Sequence, residues 1–225
     1  MIQTLNITKS YGNVQALKGV SAEFHASKIH GVIGKNGAGK TTMFESIAGL
    51  IDHEGDVSSS LDPLKDHLGF LPTNPFMFER ITGREYLTLC ALARKVDATN
   101  FDDRNLFDLP LDRYANGYST GMRKKLALLG VLIQKNEVFL LDEPFNGVDI
   151  SSNELIIDIL KKLRDSGKCV IVSSHLLSSL TQFCDDILIL EQGEKKGVFS
   201  KEKFHELDAI MRDQDHLDRL RNFQI

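Results

Sequence analysis

The sequence predicts an α/β fold with a mainly parallel sheet, an N-terminal antiparallel β part and an inserted α-helical segment. Two observations carry this. The apolar runs Val138-Phe139-Leu140-Leu141, Val170-Ile171-Val172 and Ile187-Leu188-Ile189-Leu190 read as strands covered on both faces, and a patterned helix separates the first two. Ahead of them, residues 74–134 lose the strand pattern and become helical.

The elements follow in order. Residues 2–8 and 19–26 read as strands of the antiparallel part, with Tyr11 between them. Ile29-His30-Gly31-Val32-Ile33 reads as a short strand, and a helix runs from Thr41 to Gly49. Leu68-Gly69-Phe70-Leu71-Pro72 is another short strand. Thr82 followed by Glu85 predicts a capping box that opens a helix through about Lys95. The polar stretch from Asn100 to Gly117 reads as loops between short helices, and Ser119 to Gln134 as a helix with Leu126, Leu129 and Ile133 inward. Ser151 and Glu154 predict the capping box of the helix after residue 141, with a stripe of Leu155, Ile159 and Leu163 and a stop at Gly167. Phe204, Leu207, Met211, Leu217 and Leu220 recur at helical spacing in a charged tail. The expected division is a core of residues 1–73 and 135–200, a helical part of 74–134 and a tail of 201–225, all in one domain.

Composition narrows the function classes. A net charge of −4 argues against nonspecific nucleic-acid binding as the main task. No apolar run reaches the roughly 18 residues of a membrane span. Met1-Ile2-Gln3-Thr4-Leu5 does not read as a secretory leader. Cys90, Cys169 and Cys184 are widely spaced, make no zinc pattern and suit a reducing compartment.

The chemistry centres on Gly34-Lys35-Asn36-Gly37-Ala38-Gly39-Lys40-Thr41-Thr42, a Walker A pattern between a strand and a helix. Glycines let the backbone approach an anion, and successive N–H groups and the helix N-terminus then face phosphate oxygens. Lys40 supplies a fixed positive charge for the β- and γ-phosphates, and Thr41 a hydroxyl for Mg²⁺. The bland alternative is a glycine turn. Asp142-Glu143 follows a buried strand directly, where the first acid can hold Mg²⁺ and the second can accept a proton from water. The alternative is a loop or capping acid pair. His175 ends the next strand after Ser173-Ser174, and parallel strands deliver their C-terminal ends to one crevice. Tyr11 can stack on a base, or can be an ordinary core or turn tyrosine.

Taken together these residues resemble the ATP-binding subunit of an ABC transporter, over residues 1–200. Tyr11 is similar to the family's adenine-stacking aromatic, and residues 34–42 to its Walker A loop. Tyr118-Ser119-Thr120-Gly121-Met122 resembles the ABC signature, usually LSGGQ. Leu141-Asp142-Glu143-Pro144 resembles Walker B with the catalytic glutamate, Asn146-Gly147-Val148-Asp149 the D-loop and Ser174-His175 the switch histidine.

The resemblance implies a P-loop NTPase with a RecA-like core, acting as an ATPase with ATP and Mg²⁺. Lys40, Glu143 and His175 would be catalytic, and Thr41 and Asp142 would hold the metal. Tyr11, Gly34, Asn36, Gly37, Ala38, Gly39, Lys40, Thr41 and Thr42 would hold the nucleotide. Ser119 and Gly121 would reach the γ-phosphate of a neighbouring copy across a head-to-tail dimer with itself or a related subunit. A membrane-spanning partner contacted near residues 73–80 would place the chain at the cytoplasmic face of the cell membrane, and the wording of residues 118–123 and 145–149 resembles export-type subunits of simple bacterial transporters.

Three signature positions depart, with Tyr118, Thr120 and Met122 for Leu, Gly and Gln, and the phosphate-facing Ser119 and Gly121 are kept. Thr73, followed by Asn74, stands where the family usually has a glutamine that touches Mg²⁺ and water, so it would be a metal contact of shorter reach. Pro75-Phe76-Met77-Phe78 lies in the family's docking region and alternatively packs on its own domain. The rival functions are a soluble ABC-type ATPase acting on ribosomes or DNA, and a small-molecule P-loop kinase.

Overall fold

A six-stranded sheet runs through the centre of the molecule. The computed structural model describes residues 1–97 and 100–211. The strands are β3 (Lys28–Ile33), β5 (Leu68–Leu71), β6 (Val138–Leu141), β7 (Cys169–Ser174), β8 (Asp186–Glu191) and β9 (Glu194–Ser200). Their order is β5-β6-β7-β3-β8-β9, parallel except for the β8–β9 hairpin.

Strand alternation sorts the apolar side chains onto two faces. Ile29, Ile33, Phe139, Leu141, Val170, Val172, Ile187 and Ile189 join one buried cluster with helices α3 (Thr120–Ile133), α4 (Ile150–Asp165), α5 (Leu177–Leu180) and α6 (Phe204–Met211). Val32, Val138, Leu140, Ile171, Leu188 and Leu190 face the other way, onto α1 (Lys40–Ile47) and an antiparallel sheet. That sheet, ordered β2-β1-β4, contains β1 (Ile2–Tyr11), β2 (Val14–Phe24) and β4 (Glu54–Ser59). A third cluster lies wholly within residues 81–133, built from Ile81, Leu87, Leu111, Tyr118, Leu126 and Ile133 among others, around α2 (Gly83–Ala93) and α3.

The structure corrects several sequence expectations. Strands β1 and β2 are longer than expected, so Tyr11 ends β1 instead of lying between strands. Strands β4 and β9 were not expected. Each is polar with a glycine, Glu-Gly-Asp-Val-Ser-Ser and Glu-Lys-Lys-Gly-Val-Phe-Ser, and pairing to a neighbour forms them without an apolar pattern. Helix α2 has the expected capping box of Thr82 and Glu85. Helix α4 does not have the expected one, because Asp149 is its N-cap. The Asp149 carboxylate accepts from the Ser152 N–H and from the Ser151 and Ser152 hydroxyls, an acceptor stronger than a serine. Those bonds hold its carboxyl well below the usual carboxylate range. The buried face of α4 is Ser152, Ile156 and Leu160, one position on from the expected stripe. Phe204 and Leu207 of the tail are buried, and Leu217 and Leu220 lie outside the described residues.

Candidate functional site

The sheet order brings the chemistry together. Strands β5, β6, β7 and β3 are adjacent and parallel, so their C-terminal ends open on one edge. Thr73 follows β5, Asp142-Glu143 follows β6, Ser173-Ser174 ends β7 ahead of His175, and Gly34 follows β3. One cleft is lined by Tyr11, Ala16, Thr73, Glu143, Asn146, His175 and the loop residues Asn36 to Thr42. Tyr11 is 49% exposed, with the Lys9 ammonium 5.3 Å from its ring centroid, so it is not a core tyrosine.

The loop is built by close approach. A Cβ at Gly34 would collide with the Leu190 carbonyl oxygen. Gly39, the N-cap of α1, has φ 104°, and a Cβ there would stand 2.6 Å from the Ala16 carbonyl oxygen. Gly37 also has positive φ, at 81°, with open space around its Cβ position. Beyond Gly39, the first N–H groups of α1 have no partner within their helix and face the loop's concavity. Gly37→Ala therefore meets strain alone, and Gly39→Ala meets strain and collision. Gly39→Ala should cost more than about 1 kcal/mol, or roughly 2–4 °C in melting temperature, and lose the thermal shift that ATP gives the parent chain. A thermal melt with and without ATP checks this, and equal behaviour of the two variants would count against it.

Lys40 is buried, and its Nζ donates to the Gly34 carbonyl at 2.7 Å and the Lys35 carbonyl at 3.4 Å. It also lies 3.3 Å from Glu143 Oε1. That oxygen is buried, with charge attraction but no hydrogen-bond partner. Glu143 Oε2 is 3.0 Å from His175 Nδ1. Asp142 is fully buried and accepts from three hydroxyls. Thr41 Oγ1 at 2.6 Å and Thr73 Oγ1 at 2.5 Å share Oδ2, and Ser173 Oγ takes Oδ1 at 2.5 Å. A carboxylate surrounded by hydroxyl oxygens is the donor set of a hard cation such as Mg²⁺.

Ser119 and Gly121 lie elsewhere. Ser119 is exposed, N-caps α3 and accepts from the Met122 N–H at 3.2 Å, and neither residue lines the cleft. A Cβ at Gly121 would stand 2.5 Å from the Gly147 carbonyl oxygen, which packs the signature against residues 146–149 of the same chain. The departure at Tyr118 has a packing reason: its ring is buried in the helical cluster and its hydroxyl donates to the Pro110 carbonyl at 2.7 Å.

Sequence reasoning missed Ala16, Ser173 and Lys124, a buried lysine of α3 whose Nζ donates to the Glu143 main-chain carbonyl at 2.8 Å. Ala16 carries no chemical signal. Ser173 was visible beside His175 without a role. A buried lysine looks like an exposed one in a helical pattern.

A glycine-rich loop between a strand and a helix, beside an acid pair at the end of a parallel strand, defines a P-loop nucleoside triphosphatase. Residues 17–146 match the model of the ABC transporter family. The chain belongs to that family, as an ATP-binding subunit. It is 34% identical over 196 residues to an uncharacterised ABC transporter ATP-binding protein of Nostoc sp., covering 80% of this chain and 58% of that protein's length. It is 28% identical to the linearmycin resistance ATP-binding protein LnrL of Bacillus subtilis, covering 89% of this chain and 70% of LnrL. Among solved structures, a dimeric bacterial ABC transporter cassette superposes with a TM-score of 0.80 at 25% identity, over 89% of this chain and 99% of that one. Among the described residues, no helix is long and apolar enough to cross a membrane.

Proposed function

We propose that the chain binds and hydrolyses ATP as one half of a head-to-tail dimer and drives a separate membrane-spanning subunit, in an exporter. The observation that carries this is the Glu143 carboxylate, at the end of β6 and lining the cleft, between Lys40 at 3.3 Å and His175 at 3.0 Å. Lys40 and the loop N–H groups would hold the phosphates, Glu143 would take the proton of the attacking water, and His175 would hold that carboxylate and meet the γ-phosphate. Thr41 and Asp142, with Thr73 beside them, would hold Mg²⁺, which when bound offsets charge on the β- and γ-phosphates. Ser119 and Gly121 would close the partner copy's site, which their distance from their own cleft supports.

Met77 packs on the chain's own clusters, while Phe76 is 73% and Phe78 53% exposed, edge to face at 5.1 Å, which supports docking of a membrane subunit on these two rings within residues 73–80. The separate apolar cluster of residues 81–133 supports treating 74–134 as a helical subdomain within the core of 1–73 and 135–200. The resistance protein among the relatives supports the export direction. Placement at the inner face of the membrane would follow from the partner. Fractionation tests the transport reading: the chain should follow the membrane when its partner is co-expressed, and a Phe76→Ser, Phe78→Ser double variant should stay soluble while keeping its ATP turnover.

Nucleotide binding is tested at Tyr11. Tyr11→Ala should weaken ATP binding by about 1–3 kcal/mol, the scale of base–aromatic stacking, and Tyr11→Phe should be near neutral. Titration calorimetry gives both, and equal affinity in Tyr11→Ala and the parent would remove the residue from the site.

A further inference from the structure

Lys124 is a buried cation for which the proposed reaction has no use. It lies on α3 at 2% exposure, and its Nζ donates to the main-chain carbonyl of Glu143 at 2.8 Å. Burial pushes the ammonium's pKa down, and the carboxylates of Asp142 and Glu143 pull it back up. An apolar side chain would fill the same space without that desolvation. What the lysine alone adds is a charged donor to one carbonyl.

That carbonyl belongs to a residue in an unfavourable conformation. Glu143 has φ 50°, a left-handed backbone that non-glycine residues rarely adopt. Such a residue stays there only if its surroundings hold it. Its N–H donates to Ser173 Oγ at 2.9 Å. Its carbonyl accepts from Lys124 and, at 3.2 Å, from the Asn146 N–H. Glu143 is thus gripped at both of its main-chain polar groups, by β7 and by α3. Lys125, next on α3, reaches Asp149 Oδ2 and the Ser152 hydroxyl, both at 3.1 Å, and ties down the far end of the same loop.

We infer that Lys124 is a positioning residue for the hydrolytic base, holding Glu143 in its left-handed conformation through the main-chain carbonyl. This rests on the reading of Glu143 as the base. Without the lysine, one wall of the grip is lost and the peptide can relax toward ordinary φ. That rotation carries the Cα–Cβ bond, and the carboxylate with it, away from the attacking water. The same bond makes the base follow α3, the helix that Ser119 heads.

The test compares purified full-length chains for ATP turnover, KM and melting temperature. Lys124→Met keeps an unbranched apolar stem and removes the donor. It is expected to lower kcat by about 10²-fold, the effect of a misplacement on the order of 1 Å, with KM for ATP within about twofold of the parent. Added to Glu143→Gln, where no base remains to be placed, Lys124→Met should change the residual rate less than about twofold. A merely structural lysine would give the same loss in both backgrounds. If Lys124→Met does not fold, Lys124→Leu takes its place in both. The inference is overturned by a parent-like kcat in Lys124→Met, by a rise in KM without loss of kcat, or by full additivity with Glu143→Gln. A parent-like rate in Glu143→Gln alone overturns the base reading itself and this inference with it.

Discussion

Glu143→Gln is expected to lower ATP turnover by about 10²–10⁴-fold, the usual contribution of a positioned general base. The amide keeps the shape of the side chain and cannot take the proton of the attacking water. Glu143 lines the cleft, with Oε1 beside Lys40 and without a hydrogen-bond partner. ATP binding should survive, because the loop residues and Tyr11 are untouched. The proposed dimer should then persist with ATP and Mg²⁺, and sedimentation should show a species the parent forms only transiently. A variant that turns over ATP at the parent rate would remove Glu143 from the role.

The second large effect is expected at Thr73. Its hydroxyl donates to Asp142 Oδ2 at 2.5 Å, so this cleft-lining residue is engaged on a buried acid. Glutamine at the same position reaches further into the cleft and can orient water. Thr73→Gln should raise the ATP turnover of the isolated chain, by up to about 10²-fold if placement of the water is what limits the parent. The proposed membrane subunit should stimulate the parent more than the variant, because it would complete by docking what glutamine completes by length. Steady-state ATPase assays of both chains, with and without partner, decide it. An unchanged rate in Thr73→Gln together with no stimulation of the parent would refute the idea.

Much of the site was legible because its chemistry is local. The loop from Gly34 to Thr42 is one continuous stretch whose spacing alone states a phosphate cradle. Asp142 and Glu143 announce themselves by following a run of buried apolar residues. What was not legible is each contact made by a residue type that is common everywhere. Ser173 bridges the Asp142 carboxylate and the Glu143 N–H, yet serine near a strand end predicts nothing. The cap of α4 shows the same limit. Ser151 and Glu154 have capping-box spacing, but Asp149 lies two residues earlier and its charged carboxylate wins the free N–H.

By itself the sequence determined the α/β class, the glycine-rich loop, the acid pair and the family, because apolar periodicity and glycine spacing act over a few residues. Only the tertiary structure decided the rest. It placed Thr73, Asp142, Glu143, Ser173 and His175 along one edge through the order β5-β6-β7-β3, which pairs strands far apart in the chain. It recruited the polar segments of β4 and β9 as strands through hydrogen bonds that any backbone can make. It set Glu143 at positive φ and closed Ser173 and Lys124 on its peptide. These are nonlocal contacts, and their energy depends on which surfaces meet and not on any pattern along the chain.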